Sequence, residues 1–153
     1  MKGAAYWIDK LALKPHEEGG WYRELWTSDC SVPPAALPER YGGSRRCCSL
    51  IYYLLGGGEI STWHRLNSPE IWLWHTGGLL EQTLGGTGPR PEAGPARIIG
   101  GDPGRAELHA LIPPETWQTT KILEGDFVLV SCVVSPAFSP EDFFLPPDSP
   151  AGT

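Results

Sequence analysis

The chain has 153 residues and a formal net charge of −6, with no break in composition, which fits one domain long enough to bury a core. Basic residues do not cluster beyond Arg45-Arg46, and no apolar run reaches the length of a membrane-spanning helix, so nucleic acid and bilayer are excluded as expected partners. The N-terminal MKGAAYWIDK lacks the apolar stretch of a secretion signal, so a cytoplasmic location is expected.

Nineteen Gly and sixteen Pro separate short apolar runs, as turns do in an all-β fold. Ala4, Trp7, Ile8 and Leu11 fall on one stripe and predict a short helix over residues 4–13. Pro15–Gly20 ends it. Within that segment His16 and Glu18, ahead of Gly19-Gly20, read first as turn or capping residues and only second as a functional pair. Trp21–Trp26 alternates as a strand with aromatic side chains on both faces. Residues 27–46 carry Pro and Gly without periodicity and read as a long loop, either mobile on the surface or a lid. Cys47–Leu55 is a strand apolar on both faces. The four cysteines, Cys30, Cys47, Cys48 and Cys132, show no C-x-x-C spacing and read as small hydrophobes.

The segment Gly58–Gly77 carries the chemistry. Alternation places Ile60, Thr62, His64 and Leu66 on one face, with Ser61, Trp63 and Arg65 on the other, where Arg65 is expected in a salt bridge. Pro69 cannot donate to a ladder and stops the strand. Glu70–His75 then forms a second strand, with Glu70, Trp72 and Trp74 on one face and His75 opposite. A tight hairpin would bring His64 and Glu70 together. Imidazole and carboxylate at that separation can hold a divalent metal, form a general base with its orienting acid, or satisfy each other as a buried pair. Downstream, Gly77–Leu84 reads as a hairpin partner and Ala96–Ile99 as a short strand. His109 shares a face with Glu107 and Leu111, and Asp126–Val134 is the last strong strand. The Pro-rich tail is expected to fray beyond Leu145.

The run Gly58…His64…Glu70…Gly77 resembles the first motif of the cupin superfamily, with Leu66 where a second histidine stands. Pro113–Gln118 resembles the second motif, with Glu115 for its glycine and Gln118 for its histidine. The runs His16–Glu24, Ile51–Leu55, Trp63–Leu66, Ser68–Trp72, Trp117-Gln118, Ser135–Phe138 and Glu141–Phe143 resemble the cupin-5 (DUF985) family within it. That resemblance implies an all-β, cupin-type double-stranded β-helix or jelly-roll barrel with a short N-terminal helix. It implies a single domain over 1–153 with its core at about 6–145, a homodimer, and a small-molecule ligand in the barrel.

For the site, the resemblance implies His64, Glu70 and Gln118 as donors to one divalent metal ion (Fe, Mn, Ni or Zn), with His109 facing the cavity among substrate-binding residues. Similarity to cupin-fold sugar epimerases implies instead an isomerase-type proton transfer. There His64 is the base, Glu70 orients it, Tyr52 or Tyr22 donates the proton, Gln118 holds substrate, and Trp72 and Trp74 form an aromatic wall. A metal-dependent lyase or oxygenase and a non-catalytic binding protein are the other readings.

Overall fold

The computed structural model describes residues 2–150. Its elements are α1 (Ala4–Lys10), β1 (Lys14–Pro15), β2 (Trp21–Thr27), β3 (Ser31–Val32), β4 (Arg45–Arg46), β5 (Ser49–Gly56), β6 (Ile60–Leu66), β7 (Glu70–Leu84), β8 (Ala96–Ile99), β9 (His109–Ile112), β10 (Gln118–Val134) and β11 (Phe143–Phe144). The helix is shorter than the apolar stripe predicts. It stops at Lys10, and Ala12 turns the chain at φ 51°. The stripe is nonetheless used: Ala4, Trp7, Ile8 and Leu11 pack over Leu13, Leu54, Phe127 and Leu129.

Two long strands build both layers of the barrel. The second half of β10 lies between β5 and the first half of β7, giving a layer ordered β1-β2-β5-β10-β7-β9. The first half of β10 lies between β6 and the second half of β7, giving β11-β6-β10-β7-β8. All these pairings are antiparallel. The hairpin expected between 60–66 and 70–75 therefore does not form. β6 pairs with β10 and β11, whereas β7 pairs with β8, β9 and β10.

The strand expected at 70–75 and its partner at 77–84 are one bent strand, and 126–134 is the second half of β10. The bends are made by glycine. Gly77 has φ 111° and faces β10, where Gly125 has φ 93°. A Cβ on Gly78 would lie 1.7 Å from the Glu124 carbonyl oxygen, so the two strands can cross here only without side chains. Between the layers, Tyr53, Leu55, Trp72, Leu80, Ile112 and Val130 belong to the main buried cluster.

Residues 27–46 form a strap rather than a free loop. β3 pairs with β4, and Arg45 holds Asp142 through both carboxylate oxygens, Nε to Oδ2 at 2.8 Å and Nη2 to Oδ1 at 2.9 Å. The Asn67 side-chain amide donates to the Arg40 carbonyl and to Asp142, tying the strap to the segment before β11. Fraying is expected beyond Leu145; the tail is described as far as Pro150, and residues 151–153 lie outside the described residues.

Candidate active site

The space between the layers opens as a cavity of about 650 Å³. His64 and Glu70 both line it, 4% and 7% exposed, so imidazole and carboxylate do share one interior. Alternation holds for His64 and Leu66, which both line the cavity, but fails before them. β6 carries a bulge, with His64 opposite Gln118 but Ser61 opposite Thr120, so Ser61 and His64 both face inward while Ile60 and Thr62 are exposed.

Glu18 orients His64, in the place where Glu70 is expected. His64 Nδ1 lies 2.9 Å from Glu18 Oε2 and 2.8 Å from the Thr62 carbonyl oxygen. Both partners accept, so Nδ1 carries the proton and Nε2 is the ring nitrogen left for the cavity. Among the described residues none hydrogen-bonds Nε2. The ring is stacked on Phe143, with centroids 5.7 Å apart and planes at 28°.

The His16–Gly20 turn delivers Glu18. Its backbone carbonyl accepts from Thr62 N–H at 3.1 Å, and the Tyr53 hydroxyl donates to the Gly19 carbonyl at 2.6 Å. Gly19 has φ 99°, and a Cβ there would sit 2.1 Å from the Ile60 carbonyl oxygen, so the turn can lie against β6 only as glycine. His16 does serve the turn, accepting from Glu18 N–H through Nδ1 at 3.1 Å. An acidic residue directly before two glycines was the available signal for Glu18; its partner, far along the chain, was not.

Burial alone would lower the His64 pKa. The Glu18 charge and hydrogen bond, with help from Glu70 and the Thr62 carbonyl, outweigh it and raise the value to about 9. Glu70 is raised by burial, against the opposing pull of His64 and of the Gln118 amide, which donates to its Oε2 at 2.7 Å. Burial, with the charges of Glu70 and Glu18, pushes the Cys132 thiol well up and makes it a poor nucleophile.

Other expected site residues divide between cavity and elsewhere. Trp72 and Tyr22 line the cavity. Tyr52 does not: it packs toward α1 and His75 on the outer face of β5, and its neighbour Tyr53 faces inward. His109 is exposed, because Ala110 and Ile112 take the buried positions of β9. Trp74 packs toward Gly78 and Gly101, outside the cavity wall. Gln118 is 1% exposed and sits behind Glu70 rather than in the wall. His75 lies on the outer face, as alternation requires, bonded to Ser131. Arg65 finds rings instead of an acid, its guanidinium 5.0 Å from the Trp117 centroid and 5.2 Å from that of Phe144. Glu115, which stands where the second motif has glycine, holds a glycine-like φ of 57°.

The expected metal donors do not fit a transition metal well. They supply one imidazole and one carboxylate, with an amide whose NH2 is turned toward that carboxylate. Among the described residues no group of three or more His, Cys, Asp or Glu side chains is arranged to hold an ion. What the geometry does supply is a buried proton donor, the His64 imidazolium, beside a carboxylate whose proton affinity is raised.

A two-layer antiparallel barrel built on two shared strands, with an ionisable pair inside, is a cupin. The family description "Cupin superfamily (DUF985)" matches residues 5–145, and the chain belongs to that cupin-5 family. Protein SO0799 from Shewanella oneidensis is similar over 95% of this chain and 85% of its own, at 33% identity and a TM-score of 0.81. A hypothetical protein from Leishmania major is similar over 94% of this chain and 87% of its own, at 30% identity and a TM-score of 0.81. A cupin-2 domain from Rhodospirillum rubrum shares the fold alone, at 14% identity and a TM-score of 0.56, over 88% of this chain and 70% of that one. No curated protein matches the chain. Among the described residues no helix is long and apolar enough to cross a membrane.

Proposed function

We propose that the cavity binds a small carbonyl-bearing metabolite and moves a proton on the carbon beside its carbonyl, an isomerase- or epimerase-type reaction. The observation that carries this reading is the double engagement of His64 Nδ1 by Glu18 and Thr62, which leaves Nε2–H for a ligand oxygen. His64, expected as the base, thereby becomes the acid, Glu18 takes over the orienting role expected of Glu70, and Glu70 becomes the base. With a pKa raised to about 9, His64 is the acid: it donates to the carbonyl oxygen and stabilises the enolate that forms. Glu70, raised by burial, is the base that removes the α-proton. Gln118 holds Glu70 in place and Phe143 fixes the imidazole plane.

Deuterium exchange tests this directly. A panel of small sugars and ketones is incubated with the protein in D2O and followed by proton NMR. The reading requires exchange at a carbon beside the carbonyl, lost in Glu70→Gln and in His64→Gln, and falling above about pH 9 as His64 loses its proton. Ligands that bind in the cavity without any exchange would leave a non-catalytic binding protein.

A homodimer belongs to the same proposal. β2 pairs on its outer side only at Trp21 and Tyr22, with β1. The rest of that edge is open, and Leu25 and Trp26 on it are 37% and 53% exposed. An open edge bearing exposed apolar residues supports pairing with a second copy.

A further inference from the structure

The charge of the ligand can be read from the cavity wall, an inference that rests on the small-ligand reading above. Glu17, Glu18, Glu24 and Glu70 all line the cavity, and among the described residues no Lys or Arg does. His16 also lines it, but burial lowers its pKa and leaves it neutral. The His64 cation offsets one of the three carboxylates Glu17, Glu18 and Glu24, so negative charge remains in excess even before Glu70 is counted. Glu17 and Glu24 are exposed, which places them at the opening, and neither forms an ion pair among the described residues. A phosphate or carboxylate entering here would meet like charge with no guanidinium or ammonium to receive it.

The inner end has the opposite character. The Trp72 indole is 2% exposed, and its Nε1–H, whose influence lowers the Glu70 pKa, makes no close hydrogen bond among the described residues. With His64 Nε2–H it offers donors for an oxygen. Tyr22, Trp26 and Phe138 line the same cavity as Glu17 and Glu24, and aromatic rings together with carboxylates suit an ammonium group. We propose that the site takes an amine-bearing carbonyl metabolite of the amino-sugar class, cationic at neutral pH, with its oxygen at the His64–Trp72 end and its ammonium toward Glu17 and Glu24. It would exclude phosphorylated and carboxylated relatives.

A charge-matched series tests this: glucosamine, glucose and glucose 6-phosphate, with affinities measured by calorimetry at neutral pH and at low and high salt. The expected order is glucosamine roughly tenfold tighter than glucose, with the phosphate undetectable and the amine preference shrinking in salt. A Glu17→Gln, Glu24→Gln double variant, whose changes lie on the exposed rim and whose folding is checked by circular dichroism, should lose most of that preference. Binding of the phosphate as tightly as the amine, an amine preference that survives the double variant, or binding by none of the three overturns the inference. Deuterium exchange is scored separately. Amine preference without exchange removes the proton-transfer reading and leaves the charge inference standing. Exchange without amine preference does the reverse.

Discussion

His64 Nδ1 sits 2.9 Å from the Glu18 carboxylate, and this contact rather than one with Glu70 sets the state of the imidazole. Because the folded pKa of His64 is raised above its ordinary 6.5 to about 9, the contact stabilises the fold fully below the ordinary value, and that contribution is lost as pH rises through about 9. Glu18→Gln should therefore be less stable than the parent by on the order of 2–3 kcal/mol at pH 6, with the gap closing toward pH 10. Urea midpoints across that range check it. A gap independent of pH would remove Glu18 as the controlling partner.

The turn that carries Glu18 depends on Gly19. At φ 99°, and with a Cβ 2.1 Å from the Ile60 carbonyl oxygen, Gly19→Ala forces the turn away from β6. We expect a loss of about 2 kcal/mol or more in chemical denaturation, and a fall in the His64 pKa as Glu18 withdraws. Gly86→Ala, at φ 70° with open space around it, is the control and should cost about 1 kcal/mol.

Arg45 and Asp142, with side chains 6% and 4% exposed, pin the strap to the segment that brings Phe143 onto His64. Arg45→Met leaves a buried carboxylate unpaired and should cost about 3–5 kcal/mol. Replacing both partners, Arg45→Met with Asp142→Leu, should recover much of that loss. Equilibrium unfolding of the two variants decides it: equal losses would mean that the pair is not what the strap depends on.

Leu25→Lys, on the open edge of β2, places charge where a second copy would pair. Light scattering should find a dimer in the parent chain and a monomer in this variant. Identical masses would move the interface elsewhere.

Local pattern made much of this legible. Gly and Pro spacing marked the strands, the His64 and Glu70 positions marked the cavity, and alternation turned His75 outward. Four features resisted for physical reasons. The bulge in β6 changes the face of Ser61, and alternation has no term for an extra residue. Tyr52 and Tyr53 differ by one position in a strand apolar on both sides, so only packing decides which faces inward. Glu18 reaches His64 through a non-local turn whose register depends on Gly19 lying against β6, and neither residue's immediate neighbours encode that. The bent strands β7 and β10 likewise looked like separate segments, because Gly77-Gly78 reads as a chain reversal when it is a crossing point.

In the proposed reaction Glu18 holds His64 as a cavity-facing acid. Nitrogen-detected NMR titration of the imidazole in the ligand-free protein measures it most directly. The titration should give a pKa of about 9, with the neutral ring protonated on Nδ1 and the titrating proton on Nε2. A pKa at or below the ordinary 6.5, or a neutral ring protonated on Nε2, would contradict it.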